Sequence, residues 1–213
     1  MRLRSMVMMG VGGLLMLAVA KPVWAEDDMI QTDPQTTKFE TATFAGGCFW
    51  CMQPPFDRLG GVVSTTVGYT GGTMTHPTYE DVCSGTTGHA ESIQVVYDPA
   101  TVRYEQLLDV FWRNINPTTP NQQFADVGTQ YRSAIFYHTD EQQRLAEASK
   151  ATLAASGKFD RAIVTELTPA STFYPAEEYH QHYYKKSPIR YKLYRIGSGR
   201  DGYLRKIWGE AAH

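Results

Sequence analysis

The sequence predicts an α+β fold, a two-layer sandwich with a ferredoxin-like (βαββαβ) core, a mixed or antiparallel sheet and a coil-rich C-terminal extension. Three observations predict it. Strand-like and helix-like segments follow each other in the order of the split βαβ motif. The 213 residues suffice for one domain with extensions but not for two large domains. Hydrophobic residues make up 42% of the chain and charged residues 20%, which indicates a buried core and excludes a disordered or fibrous protein.

The first half of the core is predicted from local patterns. Residues 38–45 alternate as in a strand and end at a glycine pair, and residues 48–59 predict a short helix whose middle is disturbed by two prolines. The β-branched segment 62–69 lies between glycines and predicts a second strand. Residues 90–97 place Ile93, Val95 and Tyr97 on one face, which predicts a third strand.

The second half follows in the same way. Apolar residues at helical spacing from Tyr104 to Trp112 predict an amphipathic helix, and residues 140–156 predict another that ends at Gly157. Segments 133–138 and 162–167 predict strands. Residues 168–213 are only weakly periodic, so they predict wrapping coil with one short helix around residues 176–184.

The N-terminal residues have the composition of an export signal. Arg2 and Arg4 precede an apolar stretch from Met6 to Ala20, and Val23-Trp24-Ala25 resembles a cleavage site. We therefore expect residues 1–25 to be a signal peptide, residues 26–37 a flexible segment and residues 38–213 the functional domain, with a periplasmic or secreted location. The alternative is an uncleaved anchor, although the apolar stretch is short for a membrane span. After cleavage no membrane association is expected.

Charge and cysteine count narrow the function classes. The net charge is −2 and the pI is about 6.3, so the chain has no basic footprint for nucleic acid. Three cysteines cannot all pair within the chain. Because disulfides form readily outside the cytoplasm, the spacing of these cysteines in an exported protein first indicates a redox function.

The sharpest motif is Gly46-Gly47-Cys48-Phe49-Trp50-Cys51. A cysteine after a glycine pair, at the start of a helix, is expected to have its thiolate favoured by free N–H groups and the helix dipole. Cys51 follows one turn later, close enough for a reversible disulfide. The alternatives are a thioredoxin-like C-x-x-C, a plain structural disulfide, and a zinc site made by the three cysteines with a histidine.

The other polar clusters are weaker evidence of a functional site when each is taken alone. Cys83 lies in a loop of small residues, and Glu91 opens the strand that follows, where a carboxyl with a raised pKa would serve as an acid; a solvated edge glutamate is the alternative. A polar loop at 124–133 contains Asp126 and Tyr131, and a Tyr-rich segment spans residues 173–183.

Five motifs occur in order and with suitable gaps between about Phe44 and about Tyr184. They are Gly-Cys-Phe-Trp-Cys (47–51), Val-Gly-Tyr-Thr-Gly-Gly (67–72), Tyr-Glu-Asp-Val-Cys-Ser-Gly-Thr-Thr-Gly-His-Ala-Glu (79–91), Gly-Thr-Gln-Tyr-Arg-Ser (128–133) and Ala-Glu-Glu-Tyr-His-Gln (176–181). Together they resemble the A-type peptide methionine sulfoxide reductases, the MsrA family.

The resemblance implies a function and roles for named residues. Cys48 would attack the sulfur of a methionine-(S)-sulfoxide, protein-bound or free, and Glu91 would protonate the departing oxygen. Phe49 and Trp50 would hold the substrate methyl group. Tyr79, Asp126 and Tyr131 would orient the sulfoxide oxygen and its protons. Cys48 would become a sulfenic acid and then form a disulfide with Cys51, recycled by a thioredoxin-like dithiol.

The resemblance also has one departure. Many relatives place a recycling cysteine in the C-terminal tail, whereas no cysteine follows Cys83 here. Resolution therefore falls to Cys51 or, as an alternative, to Cys83, which matches a position that is usually packed. No metal, flavin or nicotinamide is expected, since the electrons arrive through thiols, and the enzyme is expected to act as a monomer. The alternative functions are a secreted thiol–disulfide oxidoreductase that uses the Cys48–Cys51 pair and a non-enzymatic binding domain that uses the Tyr-rich tail.

Overall fold

Eight strands and seven helices form within residues 38–209, the part of the chain that the computed structural model describes. The strands are β1 (Glu40–Gly46), β2 (Val62–Thr70), β3 (Ala90–Tyr97), β4 (Gln122–Gln123), β5 (Asp126–Val127), β6 (Ser133–Tyr137), β7 (Glu166–Pro169) and β8 (Tyr174–Pro175). The helices are α1 (Phe49–Asp57), α2 (Tyr79–Cys83), α3 (Tyr104–Trp112), α4 (Asp140–Ala155), α5 (Tyr183–Lys186), α6 (Pro188–Gly197) and α7 (Arg200–Trp208). Short 3₁₀ turns occupy residues 129–131 and 178–180.

The sheet confirms the predicted α+β class and the split βαβ order. Six strands lie in the order β7-β6-β1-β3-β2-β8, and the central four, β6, β1, β3 and β2, pair antiparallel with one another. The chain runs β1-α1-β2, then β3-α3, and returns to β6. The edge strand β7 runs parallel to β6, and β8 pairs with the opposite edge at β2. The sheet is therefore mixed only at one edge.

The largest core cluster lies between the sheet and its helices. Phe44 on β1 stacks on Phe56 of α1 at 5.3 Å and on Phe111 of α3 at 5.1 Å between ring centroids. Ile93 and Val95 of β3 are fully buried in the same cluster. Alternation along the strands supplies one apolar face, and helical spacing supplies the apolar stripe that covers it. This packing holds the β1–α1 junction, where Cys48 lies.

Two predicted elements differ from the structure. The strand predicted at 162–167 begins only at Glu166, because the Val164 N–H donates to the Pro117 carbonyl, in a loop, instead of pairing with β6. The prediction of coil beyond residue 184 is wrong, since α6 and α7 form there. The large apolar residues of α6, Ile189, Leu193 and Ile196, are exposed, so their spacing does not mark a core-facing stripe.

The predicted signal peptide, residues 1–25, and the predicted flexible segment, residues 26–37, lie outside the described residues. Between residues 38 and 209 no helix has the length and apolar character needed to cross a membrane.

Candidate active site

Cys48 lies between the end of β1 and the first residue of α1. The turn requires glycine at position 47, where φ is +76° and a Cβ atom would lie 2.4 Å from the Cβ of Gln123. Cys48 is the N-cap residue of α1 and is 7% exposed, whereas Cys51 is fully buried one turn later. The Cys51 N–H donates to the Cys48 carbonyl at 3.0 Å. Both cysteines are buried, and Cys48 is the less deeply buried of the two.

Glu91 lies directly at the start of α1. Its Oε2 accepts the Phe49 N–H at 3.0 Å, so the first free N–H group of the helix binds this carboxyl. The side chain is buried, and burial raises the pKa of Glu91 to about 8, although the Phe49 hydrogen bond opposes the shift. Glu91 therefore holds a proton at neutral pH, as an acid catalyst must.

Cys48, the N-cap residue of α1, and Cys51 share a hydrogen bond that shifts their two pKa values in opposite directions. The Cys48 thiol donates to the Cys51 sulfur, which lowers the pKa of Cys51 to about 6; the positive charges of Arg200 and Arg195 lower it further. Burial raises the pKa of Cys48 well above its ordinary value, as do Cys51 and Glu91. The expectation that the helix N-terminus favours a Cys48 thiolate stays a prediction, and in this arrangement burial, Cys51 and Glu91 act against it.

Tyr194 on α6 joins the site although no sequence motif pointed to it. Its hydroxyl donates to Oδ2 of Asp126 and is also within hydrogen-bond reach of the Cys48 sulfur. Burial raises the pKa of Asp126, while Tyr194 and Arg200 oppose the shift. The predicted Asp126 thus lies close to the cysteines, oriented by a tyrosine from the C-terminal third of the chain.

An aromatic wall stands beside the cysteine pair. The Trp50 Nε1–H donates to Nδ1 of His180 at 2.9 Å, and the indole stacks on Tyr183 with centroids 3.9 Å apart. Phe49 is buried, with its ring 5.0 Å from His180 and 5.9 Å from Tyr69. Because His180 accepts from Trp50 and burial lowers its pKa, the imidazole is neutral and holds the indole in place. The wall suits a soft, apolar methylthio group.

Tyr79 and Tyr131 lie within electrostatic reach of Glu91, and the Tyr79 ring is also 4.5 Å from that of His180. Glu91 contributes to the raised pKa of both phenols, and Cys48 contributes to that of Tyr131. Burial is the larger cause in each case, so both remain protonated donors at neutral pH. Every residue predicted for the site therefore interacts with Cys48, Cys51 or Glu91, or belongs to the wall beside them.

Cys83 is the last residue of α2 and lies next to Tyr79. The prediction that it is packed is wrong, because Cys83 is exposed. It forms a side-chain hydrogen bond with Tyr79, and its carbonyl accepts from Nε2 of Gln130 at 3.3 Å. Burial and the nearby charges of Glu91, Glu80 and Glu177 raise its pKa. No cation lowers it, in contrast to Cys51.

The motif at residues 176–181 attaches the C-terminal third to the site. Gln181 accepts from the Val67 N–H at 2.9 Å and donates to the Val67 carbonyl at 2.8 Å, so its amide pairs with the edge of β2. Glu177 accepts from the Tyr69 hydroxyl at 2.9 Å and from the Tyr79 N–H at 2.8 Å. These bonds position His180 behind the aromatic wall.

The three cysteines are free thiols. Across residues 38–209, no group of three or more His, Cys, Asp or Glu side chains is arranged to hold a metal ion. The zinc alternative therefore gains no geometric support.

Comparison with known proteins agrees with this arrangement. The sequence profile described as peptide methionine sulfoxide reductase matches residues 40–212. Peptide methionine sulfoxide reductase MsrA of Bacillus licheniformis is 56% identical over 172 residues, which are 81% of this chain and 95% of that protein. The Bacillus subtilis MsrA is also 56% identical over 172 residues and 97% of its length.

Solved structures of methionine sulfoxide reductases resemble the fold of this chain. The reduced form of Mxr1 from Saccharomyces cerevisiae has a TM-score of 0.67 at 36% identity, over 76% of this chain and 91% of that one. Methionine sulfoxide reductase A of Corynebacterium diphtheriae has a TM-score of 0.64 at 37% identity, over 73% of this chain and 78% of that one. The chain belongs to the peptide methionine sulfoxide reductase family, and within it to the A type.

Proposed function

We propose that this protein reduces methionine-(S)-sulfoxide, protein-bound or free, to methionine, with Cys48 as nucleophile and Glu91 as acid. One observation carries the proposal. A buried carboxyl whose pKa is raised to about 8 lies at the same helix N-terminus as Cys48, the less deeply buried cysteine of the pair. A protonated acid beside a nucleophilic sulfur is what removal of a sulfoxide oxygen requires.

The first step transfers the oxygen to Cys48. As Cys48 attacks the sulfoxide sulfur, its proton passes to the Cys51 thiolate, to which it is already hydrogen-bonded. Glu91 gives its proton to the sulfoxide oxygen. The S–O bond of the substrate then breaks, methionine leaves, and Cys48 is left as a sulfenic acid. Phe49 and Trp50 hold the methyl group, while Tyr79, Tyr131 and Asp126 orient the oxygen.

The second step resolves the sulfenic acid. The Cys51 sulfur attacks the Cys48 sulfur, the hydroxyl leaves as water, and the Cys48–Cys51 disulfide forms. A thioredoxin-like dithiol then reduces the disulfide by exchange and leaves as a disulfide itself. Two electrons therefore pass from the dithiol to the sulfoxide through the cysteine pair, without a metal, flavin or nicotinamide.

The alternative of a secreted thiol–disulfide oxidoreductase is not supported. Disulfide exchange needs no acid for a departing oxygen, whereas Glu91 is buried and protonated beside the thiol pair. The family assignment and the MsrA relatives also favour sulfoxide reduction.

Export and the domain boundaries belong to the same proposal. The family profile begins at residue 40, and the Bacillus relatives are matched over at least 95% of their length by 81% of this chain. The N-terminal segment is therefore additional to the reductase domain, 38–213, and its composition favours a signal peptide at 1–25 followed by a flexible segment at 26–37. The mass of the exported protein, expected to begin at Glu26, tests the cleavage site.

Turnover of the separated sulfoxide epimers tests the function. A methionine sulfoxide peptide in its S and R forms is incubated with the protein and dithiothreitol, and methionine is measured. We expect reduction of the S epimer alone. Activity on neither epimer, or on the R epimer alone, would overturn the proposal.

A further inference from the structure

Arg200, the first residue of α7, is a buried cation that forms no salt bridge with any described residue, although its charge also acts on Asp126. It is 1% exposed, and its guanidinium donates to the Asn114 carbonyl at 2.6 Å and to the Gly46 carbonyl at 3.1 Å. Its other contacts are the Met52 sulfur at 3.6 Å and the Phe124 ring at 4.6 Å from the centroid. Within the described residues no carboxylate forms an ion pair with it, unlike Arg195.

Burying an unpaired cation is costly unless an anion lies close by. Gly46 and Met52, which Arg200 contacts, flank the Cys48–Cys51 turn in sequence. Cys51 lies next to Met52 and is itself fully buried. Arg195 approaches the same residue from α6, because its Nη1 donates to the Cys51 carbonyl at 3.3 Å. Arg195 therefore contacts Cys51 itself, and Arg200 contacts the residues on either side of the Cys48–Cys51 turn, from where its charge acts on the Cys51 thiol.

We propose that Arg200, assisted by Arg195, is the positioning residue that supplies the counter-charge for the Cys51 sulfur, and so makes Cys51 the leaving group when a dithiol reduces the Cys48–Cys51 disulfide. The inference rests on the proposed function, in which Cys51 resolves Cys48. It assigns the C-terminal helices an electrostatic part in recycling, although they contain no cysteine.

The exchange proceeds in a defined direction under this arrangement. The thiolate of the dithiol attacks the sulfur of Cys48, the less deeply buried cysteine of the two. A new disulfide bond forms to Cys48, the Cys48–Cys51 bond breaks, and its electron pair goes to Cys51 beside the guanidinium groups. The second thiol of the reductant then displaces Cys48 and leaves as the oxidised partner. A leaving thiol with a lower pKa departs faster, so the arginines speed the first exchange.

Several charged or titratable groups act on Cys51. The groups that affect the pKa of Cys51, or whose own pKa Cys51 affects, are Cys48 at the N-cap of α1, Glu91 on β3, Asp126 on β5, Tyr191 and Arg195 on α6, and Arg200 on α7. The two arginines are the cations of this set. The Cys48 hydrogen bond and the two arginines lower the pKa of Cys51, while burial and the charge of Asp126 raise it.

A thiol titration tests the inference without using the reductase reaction. The background variant Cys48→Ser/Cys83→Ser leaves Cys51 as the single thiol and keeps a hydroxyl donor at position 48. The ultraviolet absorbance of the thiolate is followed against pH. Adding Arg200→Met is expected to raise the Cys51 pKa by at least one unit, with a smaller rise for Arg195→Met. Arg200→Lys is expected to restore most of the lost shift.

The matched control is Lys192→Met, which removes an exposed cation from the same helix as Arg195 and is expected to leave the titration unchanged. Unchanged titrations in both arginine variants would overturn the inference, as would equal effects of Arg200→Lys and Arg200→Met. If Arg200→Met does not fold, the Cys51 titration of Arg195→Met decides whether the inference holds.

A second readout uses the protein with its own cysteines. Oxidised Arg200→Met is expected to be reduced by dithiothreitol about threefold more slowly than the parent, and oxidised Arg195→Met by a smaller factor, because a leaving thiol with a higher pKa departs more slowly and a one-unit rise acts through a Brønsted slope of about 0.5. An unchanged rate would contradict the leaving-group role. Failure of the proposed function is distinguishable, since loss of sulfoxide turnover in the parent leaves both the titration and the disulfide reduction measurable.

Discussion

At the scale of single residues, the position of Glu91 explains how a carboxyl group acts as an acid at neutral pH. The Phe49 N–H binds one oxygen and stabilises the carboxylate, but burial is the larger effect and raises the pKa to about 8. The charges of Asp126 and Cys51 raise it further. The same helix terminus that the sequence predicts to activate Cys48 therefore holds the acid.

Replacing Glu91 by glutamine tests this role. In single-turnover assays the wild-type reductive step is expected to slow as pH rises through about 8, because Glu91 loses the proton that it donates. Glu91→Gln keeps an acceptor for the Phe49 N–H but cannot donate as an acid, so its rate is expected to fall by roughly 10²–10⁴ and to lose that alkaline limb. The exposed Glu80→Gln serves as control. A Glu91→Gln enzyme that retained the wild-type rate would contradict the acid role.

Residues inside contiguous motifs were predictable, and those brought in by distant helices were not. Cys48 follows a glycine pair and Glu91 opens a clear strand, so both stood out. Tyr194, Arg195 and Arg200 lie in a segment without a core-facing apolar stripe. Their approach to Cys48 and Cys51 depends on packing across about 150 positions of sequence, which a local pattern does not encode.

At the scale of elements, two helices present the two cysteines that remain candidates for resolution. Helix α1 places Cys51 one turn from Cys48, buried and hydrogen-bonded to it. Helix α2 places Cys83 at its C-terminal end, exposed and bonded to Tyr79. The arginines favour a thiolate on Cys51, while carboxylates disfavour one on Cys83. Helix position therefore favours Cys51 as the resolving cysteine that we propose.

A pair of matched variants separates the two candidates. Cys51→Ser is expected to complete one reductive turnover and then to accumulate the Cys48 sulfenic acid, so recycling by a thioredoxin-type reductant fails. Cys83→Ser is expected to recycle at the wild-type rate. Thiol counting and the mass of the protein after one turnover with excess sulfoxide provide the measurement. Normal disulfide formation in Cys51→Ser would assign resolution to Cys83 instead.

Strand and helix prediction worked best where one face is buried. Residues 90–97 alternate cleanly, and β3 has those bounds in the structure. Residues 162–165 are β-rich in composition but pack against a loop, and α6 exposes its large apolar residues. In both places tertiary contacts, not the local pattern, determine the backbone.

At the scale of the whole molecule, the C-terminal third closes the site that the split βαβ core opens. Strand β8 and Gln181 attach it to the edge of β2, and Arg200 ties α7 to the ends of β1 and α3. Helices α6 and α7 thereby bury ionisable groups around α1. Burial of these groups links the stability of the fold to pH, because their pKa values differ between the folded and unfolded chain.

The stability of the reduced protein is expected to depend on pH in opposite ways through Glu91 and Cys51. The folded pKa of Glu91, about 8, lies above its ordinary value of 4.5, so the folded state keeps a proton that the unfolded chain releases. Stability from this group is therefore lost as pH rises from about 4.5 to about 8. The folded pKa of Cys51, about 6, lies below 9.0, so its contribution is present at alkaline pH and is lost as pH falls through about 6.

A comparison of Glu91→Gln with the wild type isolates the first effect, since Cys51 is present in both proteins. The free energy of unfolding is measured by urea denaturation with a phosphine reductant at a series of pH values. The stability of Glu91→Gln relative to wild type is expected to rise by up to about 1.4 kcal/mol per pH unit between about pH 4.5 and about pH 8, and to level off above that. For Glu80→Gln, whose side chain is exposed, the difference should not follow this trend. If the difference in unfolding free energy between Glu91→Gln and wild type stayed constant across this pH range, Glu91 would be ionised in the folded protein. That result would contradict both the stability effect and the role of Glu91 as an acid.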